Sequence, residues 1–361
     1  MPTNICFLCP AIPAPVGGIK VIYQLAELID RHYAPAYTSE VCSLGNPHFR
    51  CRWFENDVKI RGNYLFDPIS DFLIVPEYLA GHLGDAIFTA GLPFAIFVQN
   101  GYLTCGSHSV ETLAPIYRRA AFIISISDDT TRCLRLLFPD VADNIIPYRY
   151  YVDERFYYDP AVKANEIAYM PRKLKNHSQF VVSALRSRLP HSWTIRAIDN
   201  LPETEVARTL SRSRIFLAFS DQEGLPVPPL EAALSGNIVI GYHGEGGREY
   251  WTPPLFVEAE KGNLISFISR TLETVNKLAD KVVAPDATKI RELHDRYSKS
   301  RQAVYLTSII DSVSQWKKLN GEKRSPAPLV DLTRHLKTSL LARLREAVIA
   351  KARSRLARVH K

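Results

Sequence analysis

Short apolar runs alternate with longer amphipathic segments over the first half of the chain. The segments between several runs have the apolar spacing of helices, as in residues 19–33 and 128–138. Continuous apolar runs are typical of strands covered on both faces of a sheet, and their alternation with helices indicates parallel pairing. Residues 1–155 therefore predict a Rossmann-like domain. Its predicted strands are residues 4–9, 39–44, 71–76, 93–99 and 120–127.

The alternation resumes after residues 144–160, a segment rich in aromatic residues and prolines that is typical of a linker. The pattern predicts a second Rossmann-like domain over residues 156–300. It also predicts a helix over residues 301–328 that packs back on the first domain, and one basic amphipathic helical tail over residues 329–361. Two doubly wound α/β halves predict a cleft between them, where the carboxyl ends of the strands bind ligands. The predicted strands of the second half are residues 166–171, 193–198, 214–220, 237–242 and 255–258.

Charge and composition narrow the function classes. The chain has 361 residues, 46% of them hydrophobic, and a net charge of +8. Residues 331–361 alone carry nine Lys or Arg against Asp331 and Glu346, a net of +7. The rest of the chain is nearly neutral, which argues against nucleic acid as a partner. The basic tail has two interpretations of equal weight, namely contact with an anionic membrane surface and packing on its own domain.

The N-terminus and the cysteines point to a cytoplasmic protein, with peripheral contact at the inner face of the membrane as an alternative. The chain starts without a basic signal-peptide region, and no apolar stretch approaches the roughly 18 residues of a membrane span. Cys6 and Cys9 form a CxxC inside a predicted strand. Residues three apart on a strand point to opposite faces, so we expect core packing rather than a metal site.

Two carboxylates stand close together in EGLPVPPLEAALSG, residues 223–236. Seven residues separate Glu223 from Glu231, and a glycine and three prolines lie between them. The pattern predicts a strand end, a loop at Gly224, and a short helix whose first N–H groups face an anion. Carboxylates accept hydrogen bonds from neighbouring hydroxyls, so the spacing fits a nucleotide-sugar. The alternative is a turn with one solvated and one capping glutamate.

This stretch resembles the E-x7-E signature of the retaining family 4 glycosyltransferases, which have the GT-B fold of two Rossmann-like domains facing a cleft. Other parts of the chain resemble the family in the same order, from about residue 5 to 310. They are the glycine pair Gly17 and Gly18, the segment FIISISDDTTRCL, the interdomain residues Val152, Asp153 and Phe156, and the later loop with Gly246, Gly247 and Glu249.

The resemblance implies roles for residues of the second domain. Glu223 would contact the donor sugar, with the backbone of Gly224 and Leu225, and Glu231 would hold the ribose. Arg172, with Lys173 or Lys175, would neutralise the diphosphate as the glycosidic bond breaks. These assignments make Glu223, Arg172 and Lys173 the candidate catalytic residues. Weaker candidates for the base pocket are Asn200 and Leu201, and a solvated turn is the alternative for the basic residues.

The resemblance also implies roles for the first domain. Gly17 and Gly18 would approach the donor phosphate across the cleft, and a tight strand-to-helix turn is the alternative. Gln99 and Asn100 lie where the family often has a histidine. They can form hydrogen bonds with a hydroxyl or phosphate of the nucleotide-sugar, but they cannot shuttle protons near pH 7. Glu77 is a third candidate on the acceptor side, and it becomes a general base only if the enzyme inverts.

The sequence therefore predicts a metal-independent, retaining transferase with no cofactor, since no DxD pair is present to carry a metal. It would move a hexose or deoxyhexose from a nucleotide-diphosphate donor to a hydroxyl of a glycan or lipid-linked acceptor, in bacterial surface polysaccharide assembly. Two alternatives stay open. One is a nucleotide-sugar epimerase on the same fold, and the other is a catalytically inactive subunit that still binds nucleotide-sugar.

Overall fold

A computed structural model describes residues 2–14, 16–280, 285–320 and 328–335. They form two parallel α/β sheets with helices on both faces, as the strand–helix alternation predicts. No helix in these ranges combines the length and apolar character that a membrane crossing requires.

The N-terminal sheet has six parallel strands in the order β2-β1-β4-β5-β6-β7. The strand order reverses beside β1, which creates the crevice at the carboxyl ends where such sheets bind ligands. The strands are β1 (Thr3–Pro10), β2 (Tyr37–Leu44), β4 (Asp71–Pro76), β5 (Phe94–Val98), β6 (Ile123–Ser125) and β7 (Ile145–Pro147). The helices are α1 (Gly17–Tyr33), α2 (Glu77–Thr89), α3 (Val110–Arg119) and α4 (Asp128–Leu137).

The C-terminal sheet has five parallel strands in the order β12-β11-β10-β8-β9. Its strands are β8 (Glu166–Tyr169), β9 (Thr194–Ala197), β10 (Ile215–Glu223), β11 (Ile238–Glu245) and β12 (Phe256–Glu258). The helices are α5 (Lys175–Arg186), α6 (Glu203–Arg212), α7 (Val227–Leu234), α8 (Leu264–Ala279), α9 (Ala287–Arg296) and α10 (Lys299–Asn320). The prediction of two doubly wound α/β units is confirmed.

Strand β1 shows why its cysteines pack in the core. Cys9 belongs to the apolar layer that contains α1, whereas Cys6 belongs to the layer on the opposite face, beneath α2 and α3. Both side chains are fully buried. The prediction that the CxxC spacing separates the two thiols across the sheet is confirmed.

The linker prediction for residues 144–160 is wrong at its start. Ile145–Pro147 forms β7, the edge strand that pairs in parallel with β6. Two β-branched isoleucines extend the sheet by one strand, and Pro147 can end it because an edge strand has a side that needs no N–H donor.

Helix α10 runs back from the C-terminal sheet and lies on the N-terminal domain. Trp316 packs edge-on against Phe72 of β4, with ring centroids 5.8 Å apart, and the Lys317 ammonium donates to the carbonyl of Ile69 at 2.8 Å. Where the chain makes this return, the Val152 N–H donates to the carbonyl of Tyr297 at 3.0 Å. The two segments that connect the domains are therefore joined to each other.

The prediction of one helix over residues 329–361 is also wrong at its start. Val330–Asp331 forms a short strand, β13, that pairs antiparallel with β3 (Leu65–Phe66), and Leu332 is only 1% exposed in the N-terminal core. Val330 pairs with Phe66, and Val330 and Leu332 pack against the apolar layer that contains α2 and α3. Residues 336–361, which hold most of the predicted basic helix, lie outside the described residues.

Replacing Leu332 tests whether this segment belongs to the N-terminal core. We expect Leu332→Ala to cost about 2–3 kcal/mol of unfolding free energy, because it removes buried methyl groups and leaves a cavity. The matched control is Leu329→Ala, whose side chain is 61% exposed and should change stability by less than about 0.5 kcal/mol. Urea denaturation measures both, and equal midpoints for the two variants would contradict the packing.

Candidate functional site

A cavity of about 510 Å³ lies between the two domains, at the carboxyl ends of both sheets. The N-terminal domain contributes the starts of α1 and α2 and the loop after β5. The C-terminal domain contributes the loops after β8 and β9 and the start of α7. Both predicted domains therefore build one site, as expected for a ligand at the strand ends of two facing sheets.

The cavity brings together thirteen of the fourteen residues that the sequence predicted. They are Gly17, Gly18, Glu77, Gln99, Asn100, Arg172, Lys173, Asn200, Leu201, Glu223, Gly224, Leu225 and Glu231. The structure places Lys175 outside this lining, at the first position of α5. Leu174 has a left-handed backbone with φ of 39°, and this turn lies between Lys173 in the cavity and Lys175 on the helix.

Glu223 and Lys173 form an ion pair inside the cavity. The Lys173 ammonium donates to Oε2 of Glu223 at 2.8 Å. Glu223 is the last residue of β10, and its other carboxylate oxygen, Oε1, is buried with no hydrogen-bond partner among the described residues. A buried acceptor without a donor is costly, so this oxygen is available to a hydroxyl of a ligand.

The backbone of Gly224 makes a close contact between the two domains. A Cβ atom at this position would overlap the carbonyl oxygen of Gln99 and stand 2.9 Å from the Cα of Asn100, both in the opposite domain. The Asn100 side-chain amide also donates to the carbonyl of Gln222 at 2.9 Å. Only glycine allows this approach, because any other residue carries the Cβ atom.

Glu77 shapes the N-terminal side of this contact. Its two carboxylate oxygens accept the backbone N–H groups of Gln99 and Asn100, each at 3.2 Å. The side chain is only 5% exposed and also lines the cavity. Glu77 therefore fixes the loop that meets Gly224, because each of its oxygens accepts one backbone N–H of that loop.

Glu231 occupies a different environment from Glu223. It lies inside the first turns of α7 and is 8% exposed, and its carboxylate receives no hydrogen bond from the described residues. Burial raises the pKa of Glu231 to about 7, and the ammonium of Lys20 acts in the opposite direction. Near neutral pH this carboxyl is therefore poised between its protonated and ionised forms.

Lys20, Trp53 and Glu203 are among the lining residues that the sequence did not predict. Lys20 of α1 pairs with Glu203, the first residue of α6, across the cleft. The available signal was the apolar context of Lys20 between Ile19 and Val21, which is unusual for a solvated lysine. Trp53 lies within the long loop between β2 and β3, and no local pattern predicts that it lines the cavity.

A second cross-domain network surrounds Glu249, which follows the glycine pair 246–247. Its carboxylate accepts from the Arg149 guanidinium at 2.6 Å, from the Asp128 N–H at 2.8 Å and from the Tyr297 hydroxyl at 2.8 Å. The carboxylate thus joins the start of α4, the linker and the segment before α10. This buried network holds the two domains in their observed arrangement.

No group of three or more His, Cys, Asp or Glu side chains in the described ranges is placed to hold a metal ion. The charged groups of the cavity are instead ammonium, guanidinium and carboxylate groups, together with the uncapped start of α7. Cations and a helix start are suited to a diphosphate.

Comparison of the whole chain with solved structures reveals its architecture. It superposes with a TM-score of 0.64 on sucrose-phosphate synthase from Thermosynechococcus elongatus, at 10% identity, covering 87% of this chain and 99% of the other. The UDP complex of HepE from Anabaena gives 0.63 at 10% identity, covering 87% and 100%. This is the GT-B fold. The lipopolysaccharide outer core galactosyltransferase WaaB gives 0.59 at 14% identity, covering 87% and 99%.

Sequence comparison of this GT-B chain gives a shorter match. It is 33% identical over 94 residues to an alpha-1,6-glucosyltransferase of Actinobacillus pleuropneumoniae serotype 7, strain AP76. The match covers 24% of this chain and 28% of that relative's length. No protein-family model matches the chain.

Adding one methyl group at Gly224 tests the contact between the domains. We expect Gly224→Ala to force the cleft open, because overpacking a close contact costs about 1–3 kcal/mol. Small-angle X-ray scattering should then show a larger radius of gyration than for the wild type. The control is Gly17→Ala, which lines the same cavity but whose Cβ meets no atom within 4 Å. Identical scattering from wild type and Gly224→Ala would contradict the closed arrangement.

Proposed function

We propose that the chain is a glycosyltransferase that moves a sugar from a nucleotide-diphosphate donor to a hydroxyl of a glycan or lipid-linked acceptor. The observation that carries this proposal is the composition of the shared cavity. Glu223 and Glu231 line it together with the cations Arg172 and Lys173. A donor needs these partners, because it has hydroxyls on its sugar and its ribose and negative charge on its diphosphate.

The donor would bind mainly to the C-terminal domain. Glu223 accepts from a sugar hydroxyl through Oε1, the oxygen that has no partner among the described residues, while the backbone of Gly224 and Leu225 approaches the same sugar. Glu231 accepts from the ribose hydroxyls, and Asn200 with Leu201 lines the base pocket. Asn200 has φ of 51°, a left-handed conformation that asparagine tolerates and that turns the loop after β9.

The proposed chemistry is retaining and independent of metal. The bond between the anomeric carbon and the phosphate oxygen breaks, and the acceptor oxygen forms a new bond on the same face. The leaving phosphate takes the proton of the acceptor hydroxyl, so no protein base is needed. Lys173 and Arg172 stabilise the charge that grows on the diphosphate. This mechanism agrees with Glu77, whose two oxygens already hold backbone N–H groups.

The similar proteins favour a hexose donor and a place in surface polysaccharide assembly. The HepE structures contain UDP, UDP with glucose, or UDP-glucose, and the sequence relative is a glucosyltransferase. UDP-glucose is therefore the first donor to test. We place the reaction in the cytoplasm, where the basic residues 336–361 would bring the enzyme to an anionic membrane that carries a lipid-linked acceptor.

Ligand-induced stabilisation tests the donor site. We expect UDP-glucose at 100 times its dissociation constant to raise the stability by about 2.7 kcal/mol, which a thermal-shift assay detects. Glu231→Gln should lose most of this shift, because the amide replaces one acceptor oxygen with a donor. The matched control is Glu205→Gln on α6, outside the cavity lining, which should keep the shift. A screen of nucleotide diphosphates and their sugars with no shift at all would contradict the proposal.

Turnover distinguishes the transferase from an epimerase or an inactive subunit. We expect release of free nucleotide only when an acceptor is present, with full activity in a metal chelator. Lys173→Met should lower kcat about 10²–10³-fold, since removing one group that stabilises transition-state charge typically has this effect. A much smaller loss in Lys175→Met would assign the role to the lysine inside the cavity. Conversion of the donor without an acceptor would instead identify an epimerase.

A further inference from the structure

Lys20 is a buried cation that the N-terminal domain places in the donor cavity. Its side chain is 8% exposed, and its ammonium pairs with Oε1 of Glu203, whose side chain is 12% exposed. Lys20 lies in the first turn of α1, two residues after Gly18, which lines the cavity. Glu203 is the first residue of α6 in the other domain. This ion pair therefore exists only while the two domains face each other closely.

Glu203 belongs to a cluster of acidic groups at the same end of the cavity. Its second oxygen forms an ion pair with the Arg155 guanidinium at 3.3 Å, and Arg155 also donates to Asp153 at 2.8 Å. These charges act on the pKa of Glu231, which Glu203 and Asp153 raise and Arg155 lowers. The titratable and charged groups that face Glu231 are Lys20 of α1, Tyr150, Asp153 and Arg155 of the linker, Glu203 of α6, and Tyr250 before β12.

The excess of negative charge in this cluster is smaller when the cleft is closed. Three carboxylates, from Asp153, Glu203 and Glu231, face two cations, Lys20 and Arg155. Opening the cleft moves Lys20 away together with its domain. Of these two cations, Arg155 then stays beside the three carboxylates. A buried carboxylate that loses a nearby cation takes up a proton more readily. The carboxylate of Glu231 accepts no hydrogen bond within the described part of the chain, so it is the carboxylate most sensitive to this effect.

We propose that Lys20 is a positioning residue that couples closure of the cleft to donor binding, by delivering its ammonium group to the carboxylates of Glu203 and Glu231. This inference rests on the proposed function, in which Glu231 holds the ribose. Two ribose hydroxyls need an ionised carboxylate, since a protonated one donates from one of its oxygens. The closed cleft supplies the charge that keeps this acceptor available, so an open cleft binds the nucleoside end of the donor more weakly.

The direction of the pH dependence follows from the signs of the charges. Protonation of Glu231 should weaken donor binding as the pH falls below its pKa of about 7. Removing Lys20 withdraws a charge that lowers this pKa. The acid limb, meaning the pH range in which donor binding weakens as the pH falls, should therefore move to higher pH. Removing the charge of Glu203 withdraws one that raises it, so the limb should move to lower pH. A purely structural role of the pair would give no such opposite displacement.

The experiment is calorimetric titration of UDP-glucose from about pH 5.5 to about pH 8.5, a range that brackets this pKa. The phosphodiester groups of UDP-glucose stay ionised throughout, so the ligand adds no titration of its own. We expect Lys20→Met to move the acid limb up by about one pH unit, the lower end of the effect of a neighbouring opposite charge. Glu203→Gln should move it down, and Lys20→Arg should leave it near the wild-type position.

Lys59→Met is the matched control, because Lys59 also pairs with a carboxylate, Asp30, but at an exposed position outside the cavity. Its acid limb should not move. The inference is overturned if Lys20→Met and Glu203→Gln weaken binding equally at every pH, or if their limbs move in the same direction. If Lys20→Met fails to fold, the downward shift of Glu203→Gln decides alone. Absence of binding to the wild type at any pH would instead refute the proposed function itself.

Discussion

The backbone of Gly224 lies against the carbonyl oxygen of Gln99, and the rest of the site depends on this contact between the domains. It sets how closely the two sheets face each other, and hence the width of the cavity. The contact is prepared on both sides. Glu77 holds the loop of Gln99 through two backbone N–H groups, and the Asn100 amide reaches the carbonyl of Gln222. Glycine here is a geometric requirement, because its missing Cβ is the space that the other domain fills.

The two glutamates of the 223–236 stretch show how position in the fold separates similar groups. Glu223 ends a strand and pairs with a lysine, so its ionised form is compensated by a neighbouring charge. Glu231 is inside a helix and buried, so its ionised form depends on charges carried by other elements. In the proposed function, the first carboxylate contacts the sugar in any state of the cleft, whereas the second becomes fully effective only when the cleft closes.

Local patterns predicted ten of the eleven strands that the described residues form in the two large sheets, and together with the family resemblance they named thirteen residues of the cavity lining. Long apolar runs predict strands, and the 223–236 stretch contains its strand end, glycine and helix start within fourteen residues. The misses have physical reasons. Strands β7 and β13 have three and two residues, too few for a periodic signal. The Lys20–Glu203 pair joins residues 183 positions apart, and the turn at Leu174 that separates Lys173 from Lys175 depends on a backbone angle.

The chain passes between the domains twice, once through the linker after β7 and once before α10. Hydrogen bonding between Val152 and Tyr297 fastens these two passages side by side, and Glu249 binds both of them to the start of α4. A single connecting segment lets two bodies twist and swing freely. Two connecting segments that run side by side restrict twisting of one domain against the other. They leave rotation about one axis as the main relative motion. Each time the cleft closes, Lys20 would then meet Glu203 again, and Gly224 would meet the loop of Gln99 again. The domains would sample few other relative orientations.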